Sequence, residues 1–173
     1  MSRSGYVDDY DEEGTGGLWR GAVMRAIRGK RGQDALRELA AALDAMPVKS
    51  LAAESLVTED GEFCTLGVLG NARGMDMSRI DPDDWEAVAA AFGIAPSMVR
   101  EIVYWNDEGV HTYDWVDVVI CGPMRTKWPD REKHERTVRI DIPYETVAQQ
   151  RWMKMRDWVN ENLNKTAPAA EAN

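Results

Sequence analysis

Apolar residues in this chain recur every three to four positions in segment after segment, and every second position in only two short runs. Because helix and strand differ in this period, the pattern restricts the fold to a mainly α (α+β) class with little sheet. Leu18, Trp19, Ala22, Val23, Ala26 and Ile27 share a face and predict a helix over 18–28, ended by Gly29. After "GKRG", Leu36, Leu39, Leu43 and Met46 predict a second helix from about Gln33 to Met46, stopped by Pro47, and the short connection makes the two an antiparallel pair. Asp81-Pro82-Asp83-Asp84 reads as a helix start with Asp81 as cap, followed by inward Trp85, Val88, Ala89 and Phe92 and closed by Gly93. Ile94-Ala95-Pro96 opens another helix, with Met98, Val99, Ile102 and Val103 inward, that runs to near "NDEG". Pro143 starts a terminal helix to about Leu163, whose apolar stripe takes in Tyr144, Val147, Ala148, Trp152, Met155, Trp158 and Val159.

The two strand-like runs are 115–120 and 137–142. In the second, Val138, Ile140 and Ile142 alternate with Arg139 and Asp141 as in a half-buried strand, and the two predict a small antiparallel ribbon. Between them lies a long polar excursion over 121–136. Most of the seven tryptophans belong to the core on this reading. Residues 1–17 read as a flexible acidic tail and 166–173 as a frayed end, which leaves 18–165 as one globular domain of five to six helices.

Charge narrows the function classes. The net charge of −9 argues against generic binding of nucleic acid. Glu54 to Asp117 holds fourteen acids against Arg73, Arg79 and Arg100, whereas Arg20 to Arg37 holds six bases against Asp34. No apolar run reaches the length of a membrane span, and the acidic, glycine-rich first residues do not read as a signal peptide, so the expectation is a cytoplasmic protein without membrane contact. The helix pair over 81–106 has a helix-turn-helix outline. Its second helix offers Arg100 as its only base, which disfavours DNA reading.

The stretch "GEFCTLGVLGNARG", 61–74, invites chemistry. As a thiol enzyme, Cys64 would be the nucleophile, His111 its base, and Asp107 or Asn106 the orienting group. Against that, Cys64 lies in an apolar segment where a buried, inert thiol is the simpler reading. On a helix, Phe63, Gly67, Gly70 and Gly74 fall near one side, a shallow face for close packing, with Arg73 at the C-terminal end complementing the dipole. Cys64, His111, Cys121 and His134 include no local pair of the kind that seeds a zinc site, so no metal and no cofactor is expected. "RGKRGQ" is the better anion candidate, in which Arg28, Lys30 and Arg31 stand among glycines before a helix start. Ordinary capping explains the same bases.

Taken together, "LWRGAVMRAIRGKRGQ", "GEFCTLGVLGNARGMDM", "VAAAFGIAPSMVREIVYWNDE" and "RWMKMRDWV" resemble a group of uncharacterised small proteins encoded by phages and prophages of proteobacteria, in which a Cys-x-Leu-Gly segment is followed by Asn-Asp. The resemblance covers most of 18–160 and carries no established activity. It implies a phage-type protein in a bacterial cytoplasm that binds a host protein, and inhibitors of host defence, including anti-CRISPR proteins that imitate the charge of DNA, are one such class. The acids expected to face a partner, one that could belong to a nucleic-acid-handling complex, are Asp81, Asp83, Asp84, Asp107, Glu108, Asp114 and Asp117. A thiol enzyme on Cys64 and a small anion or nucleotide binder on Arg28, Lys30 and Arg31 are the alternatives.

Overall fold

A computed structural model describes residues 4–6, 16–119 and 135–164. The fold is mainly α, six α-helices and one two-stranded antiparallel ribbon among the described residues. In chain order these are α1 (Gly16–Arg28), α2 (Lys30–Ala45), α3 (Thr65–Ala72), α4 (Trp85–Phe92) and α5 (Pro96–Val103). A single π-helical turn (Tyr104–Glu108), β1 (Tyr113–Val119), β2 (Glu135–Asp141) and α6 (Tyr144–Asn162) follow.

The core is built by the periodic residues. Leu36, Leu39 and Leu43 of α2 share one buried cluster with Leu66 and Leu69 of α3, Phe92 of α4, Val99 and Ile102 of α5, and Met155 and Val159 of α6. Burying each such side chain contributes about 1.5–3 kcal/mol, which is why these stripes dictate the arrangement. Trp158 lies in this core, while Trp19, Trp85, Trp105 and Trp152 are half-buried against it.

Three hydrogen-bonded groups tie the helix ends. Buried Gln33 donates to the carbonyls of Ile27 and Asn162 and accepts the Asn164 amide, joining α1, α2 and α6. At the C-terminus of α2, Lys49 and the Trp152 indole both donate to the Leu43 carbonyl. Arg156 of α6 grips Asp44 with two parallel bonds of 2.7 and 2.8 Å, and this holds the Asp44 carboxyl below the usual aspartate range.

Several local expectations are corrected. The "GKRG" loop is absent, because α1 gives way to α2 across Gly29 alone and Gly32 already lies in the first turn of α2. Gly32 passes the Ala26 carbonyl so closely that any Cβ would collide with it. α4 begins at Trp85, not Pro82, since Asp84 and not Asp81 is the cap, its side chain accepting the Ala87 amide. Asp81 instead closes the preceding turn by accepting the Asp83 amide. α3 starts at Thr65, and Phe63 stands ahead of it in an extended bridge to Val57, so Phe63 is not on the helix. Tyr144 is half exposed and lies off the apolar stripe of α6.

The ribbon departs most from expectation. Its antiparallel pairing is as anticipated, in a register that sets Val116 opposite Val138 and Trp115 opposite Arg139. It is not half-buried. Trp115 is 60% exposed and Ile140 49%, with Val116 and Val118 near 40%. The excursion over 121–136 falls, except for Glu135 and Arg136, outside the described residues, as does the 166–173 end. Of the tail expected over 1–17, Gly16 and Gly17 belong to α1, and Ser4, Gly5 and Tyr6 lie against α5.

Candidate functional site

The site begins at the start of α3. Thr65, fully buried, presents its amide and its hydroxyl to Oδ1 of Asn106 at 3.1 and 2.7 Å. Asn106, 2% exposed, donates through Nδ2 to the Ala52 carbonyl at 2.9 Å and to Asp107 at 2.6 Å. One amide side chain therefore caps α3, pins the 51–56 segment and orients its neighbour. The π turn makes this possible: its wider winding at Tyr104–Glu108 points Asn106 inward while Glu108 stays outward. Cys-x-Leu-Gly and Asn-Asp, forty residues apart in sequence, are thus one structural unit.

Cys64 completes that cap. Its sulfur, 8% exposed as a residue, accepts the Gly67 amide at 3.4 Å as the N-cap of α3. Cys64 and Asp107 share with Asn106 and Pro82 the lining of a cavity of about 10 Å³, the room of one water molecule. His111 is exposed and does not line it. Among the described residues no three of His, Cys, Asp and Glu are grouped to hold a metal ion, and Cys121 and His134 lie outside them.

The glycines of this stretch divide by role. A Cβ on Gly67 would meet the Leu56 carbonyl, and one on Gly70 would meet Met77 with Phe92 behind it, so both exist for close approach. Gly74 has open space but φ +65°, and ends the segment in the left-handed region. Arg73 does more than complement a dipole: it donates to the Phe92 carbonyl and to Glu38, both at 2.7 Å, tying α3 to the end of α4 and to α2.

The seven acids separate into two groups. Pro82 lies between Asp81 and Asp83 and shares a cavity wall with Asp107, so the acidic loop before α4 sits beside the π turn that carries Asp107 and Glu108. Several of these carboxylates have internal duties. Asp84 caps α4, Asp107 accepts from Asn106 and the Glu54 amide, and Glu108 accepts the Ser4 amide at 2.9 Å. Asp114 and Asp117 belong to β1, on opposite faces of the ribbon, and Asp117 accepts the Thr137 hydroxyl.

The ribbon starts five residues after the π turn, and both of its faces carry exposed apolar side chains. Tyr113 and Trp115 stand edge to face on one, with Arg139 over the Tyr113 ring at 4.0 Å; Val116, Val118, Val138 and Ile140 occupy the other. Sequence reasoning missed Trp115, because a tryptophan in a strand reads as core unless its exposure is known. Arg28, Lys30 and Arg31 flank the α1–α2 junction, with Lys30 and Arg31 exposed in the first turn of α2. α4 and the helical run formed by α5 and the π turn meet at a bend of 108°, as a helix-turn-helix pair does, but Arg100 is engaged with Ser4 and Gly5. No single described helix is long and apolar enough to cross a membrane.

Comparison of the chain with protein-family models, with curated proteins and with solved structures found no match.

Proposed function

We propose that this chain is a non-enzymatic interaction protein of phage type that binds a host bacterial protein, and that the ribbon is its principal binding face. The observation that carries the reading is the exposure of Trp115, Val116, Val118 and Ile140 on two strands that pair with no third strand among the described residues. A two-stranded ribbon is marginal in water by itself, and a tryptophan left 60% exposed is the kind of side chain that anchors protein interfaces. Asp114 and Asp117 place charge beside this apolar surface, and the π turn that carries Asp107 and Glu108 ends five residues before the ribbon. Such a surface suits a partner with a basic groove, including one that handles nucleic acid, so inhibition of host defence by imitation of DNA charge is the favoured role.

The test is capture from bacterial lysate with the immobilised chain, compared with a Trp115→Ala/Val118→Lys chain and with a chain in which Asp81, Asp83, Asp114 and Asp117 are reversed to lysine. The reading expects one retained partner, loss of it with the ribbon variant, and weaker, less salt-sensitive retention with the charge variant. Equal retention by all three chains would overturn it.

A further inference from the structure

Around Arg100 of α5, a short stretch of the chain is read residue by residue. The Arg100 guanidinium carbon lies over the Trp19 and Trp85 rings at 4.1 and 4.5 Å from their centroids, and the side chain donates to two successive carbonyls, Ser4 through Nε at 2.6 Å and Gly5 through Nη2 at 2.8 Å. Glu108 accepts the Ser4 amide. Tyr6 sits with its ring 5.5 Å from Trp19 and 5.2 Å from Tyr104, and its hydroxyl donates to Glu101 at 2.5 Å, a carboxylate that also accepts from the Trp105 indole. Burial and that carboxylate hold the phenol far above its ordinary range, so Tyr6 stays a donor at any physiological pH.

Each position excludes alternatives. Gly5 has φ +68°, and a Cβ there would lie 2.6 Å from the Trp85 ring and 2.7 Å from the Arg100 guanidinium. Ser4 is fully buried, and its hydroxyl accepts the Tyr6 amide to close the turn. Backbone carbonyls on an arginine, an amide on a carboxylate, a forced glycine and a ring in an aromatic notch are the elements of peptide recognition. The hydrogen bonds to Arg100, Glu101 and Glu108 span 95 to 104 positions of sequence, so they owe nothing to chain continuity.

We propose that Trp19, Trp85, Arg100, Glu101, Tyr104 and Glu108 form a peptide-binding slot specific for a Ser-Gly-Tyr segment, and that residues 4–6 of the chain are its resident ligand, exchangeable for the same segment supplied from another molecule. Because Tyr104 and Glu108 belong to the π turn that also carries Asn106 and Asp107, release or exchange of the segment acts directly on that turn. The inference is independent of the ribbon as a binding face. A tethered ligand competes at an effective concentration of about a millimolar, so the unaltered chain should mask its own slot.

The test uses the full chain and a synthetic, amidated peptide of residues 1–8, followed by calorimetry. Gly5→Val, with a branched side chain at positive φ and against Trp85, expels the resident segment; this chain should bind the peptide at least tenfold more tightly than the unaltered chain does. Adding Arg100→Ala to Gly5→Val should abolish binding, and a peptide carrying Gly5→Ala should lose at least tenfold. Failure of Gly5→Val to bind millimolar peptide, or equal binding by the unaltered chain, would overturn the proposal. Loss of cooperative unfolding in Gly5→Val would also overturn it, by making the segment a fixed structural strap. In the unaltered chain the Ser4 amide should exchange hydrogen more slowly than an unprotected amide; exchange at the unprotected rate would refute the contact itself.

Discussion

Replacing Asn106 with alanine tests the joint between the π turn and α3. The substitution deletes four hydrogen bonds at a residue that is 2% exposed and leaves the Thr65 amide, the Thr65 hydroxyl and the Ala52 carbonyl without their partner. Each buried polar group so stranded costs about 1–3 kcal/mol, and partial rescue by one water in the vacated space brings the expected total to about 3–5 kcal/mol. Against a typical domain stability of about 5–15 kcal/mol, that is a large fraction, equivalent to a drop in melting temperature on the order of 10 °C. Urea unfolding followed by tryptophan fluorescence should show an earlier midpoint with an unchanged slope. Thr65→Val alone should cost less, and the two changes together should fall short of their sum by about 1–3 kcal/mol, because they remove the same bonds. A loss below about 1 kcal/mol for Asn106→Ala, or strict additivity with Thr65→Val, would refute the joint.

Gly67→Leu, which drives a side chain into the Leu56 carbonyl, should cost about 3 kcal/mol or more in urea unfolding, whereas Gly74→Ala, strained only by its positive φ in open space, should cost about 1–2 kcal/mol. In a Cys121→Ser chain, a thiol reagent should label Cys64 only after unfolding, and Cys64→Ser should retain partner capture; rapid native labelling would reopen the enzyme reading. The Asp44–Arg156 pair is half solvated and should contribute about 0.5 kcal/mol. Since the folded Asp44 titrates below its ordinary 3.8, that contribution is present above this pH and lost as pH falls through the folded value, so the stability gap between unaltered and Asp44→Asn chains should close in acid.

The helical part of the fold could be read from the chain because burial follows period: Leu36, Leu39 and Leu43, or Val99 and Ile102, sit where a 3.6-residue repeat puts them. Helix starts were harder. Three aspartates precede Trp85, all chemically able to cap, and only the turn closed by Asp81 decides that Asp84 does. The π turn carries no local signature, so the joining of Thr65 to Asn106 cannot be read from the Cys-x-Leu-Gly and Asn-Asp segments alone. Alternation in the ribbon signals pairing but says nothing of whether another layer covers it, so the exposure of Trp115 cannot be read from the chain. The anchoring of Ser4 to Tyr6 by Arg100 was invisible because a glycine-rich, acidic segment has no periodicity from which to infer a partner.

The central claim, that the exposed ribbon is the binding face, is tested most directly by hydrogen–deuterium exchange on the chain alone and with its captured partner. The account predicts that partner binding slows exchange across 113–119 and 135–141 and leaves the Cys64–Asn106 joint unchanged. Protection centred on that joint, with the ribbon exchanging as in the free chain, would contradict it.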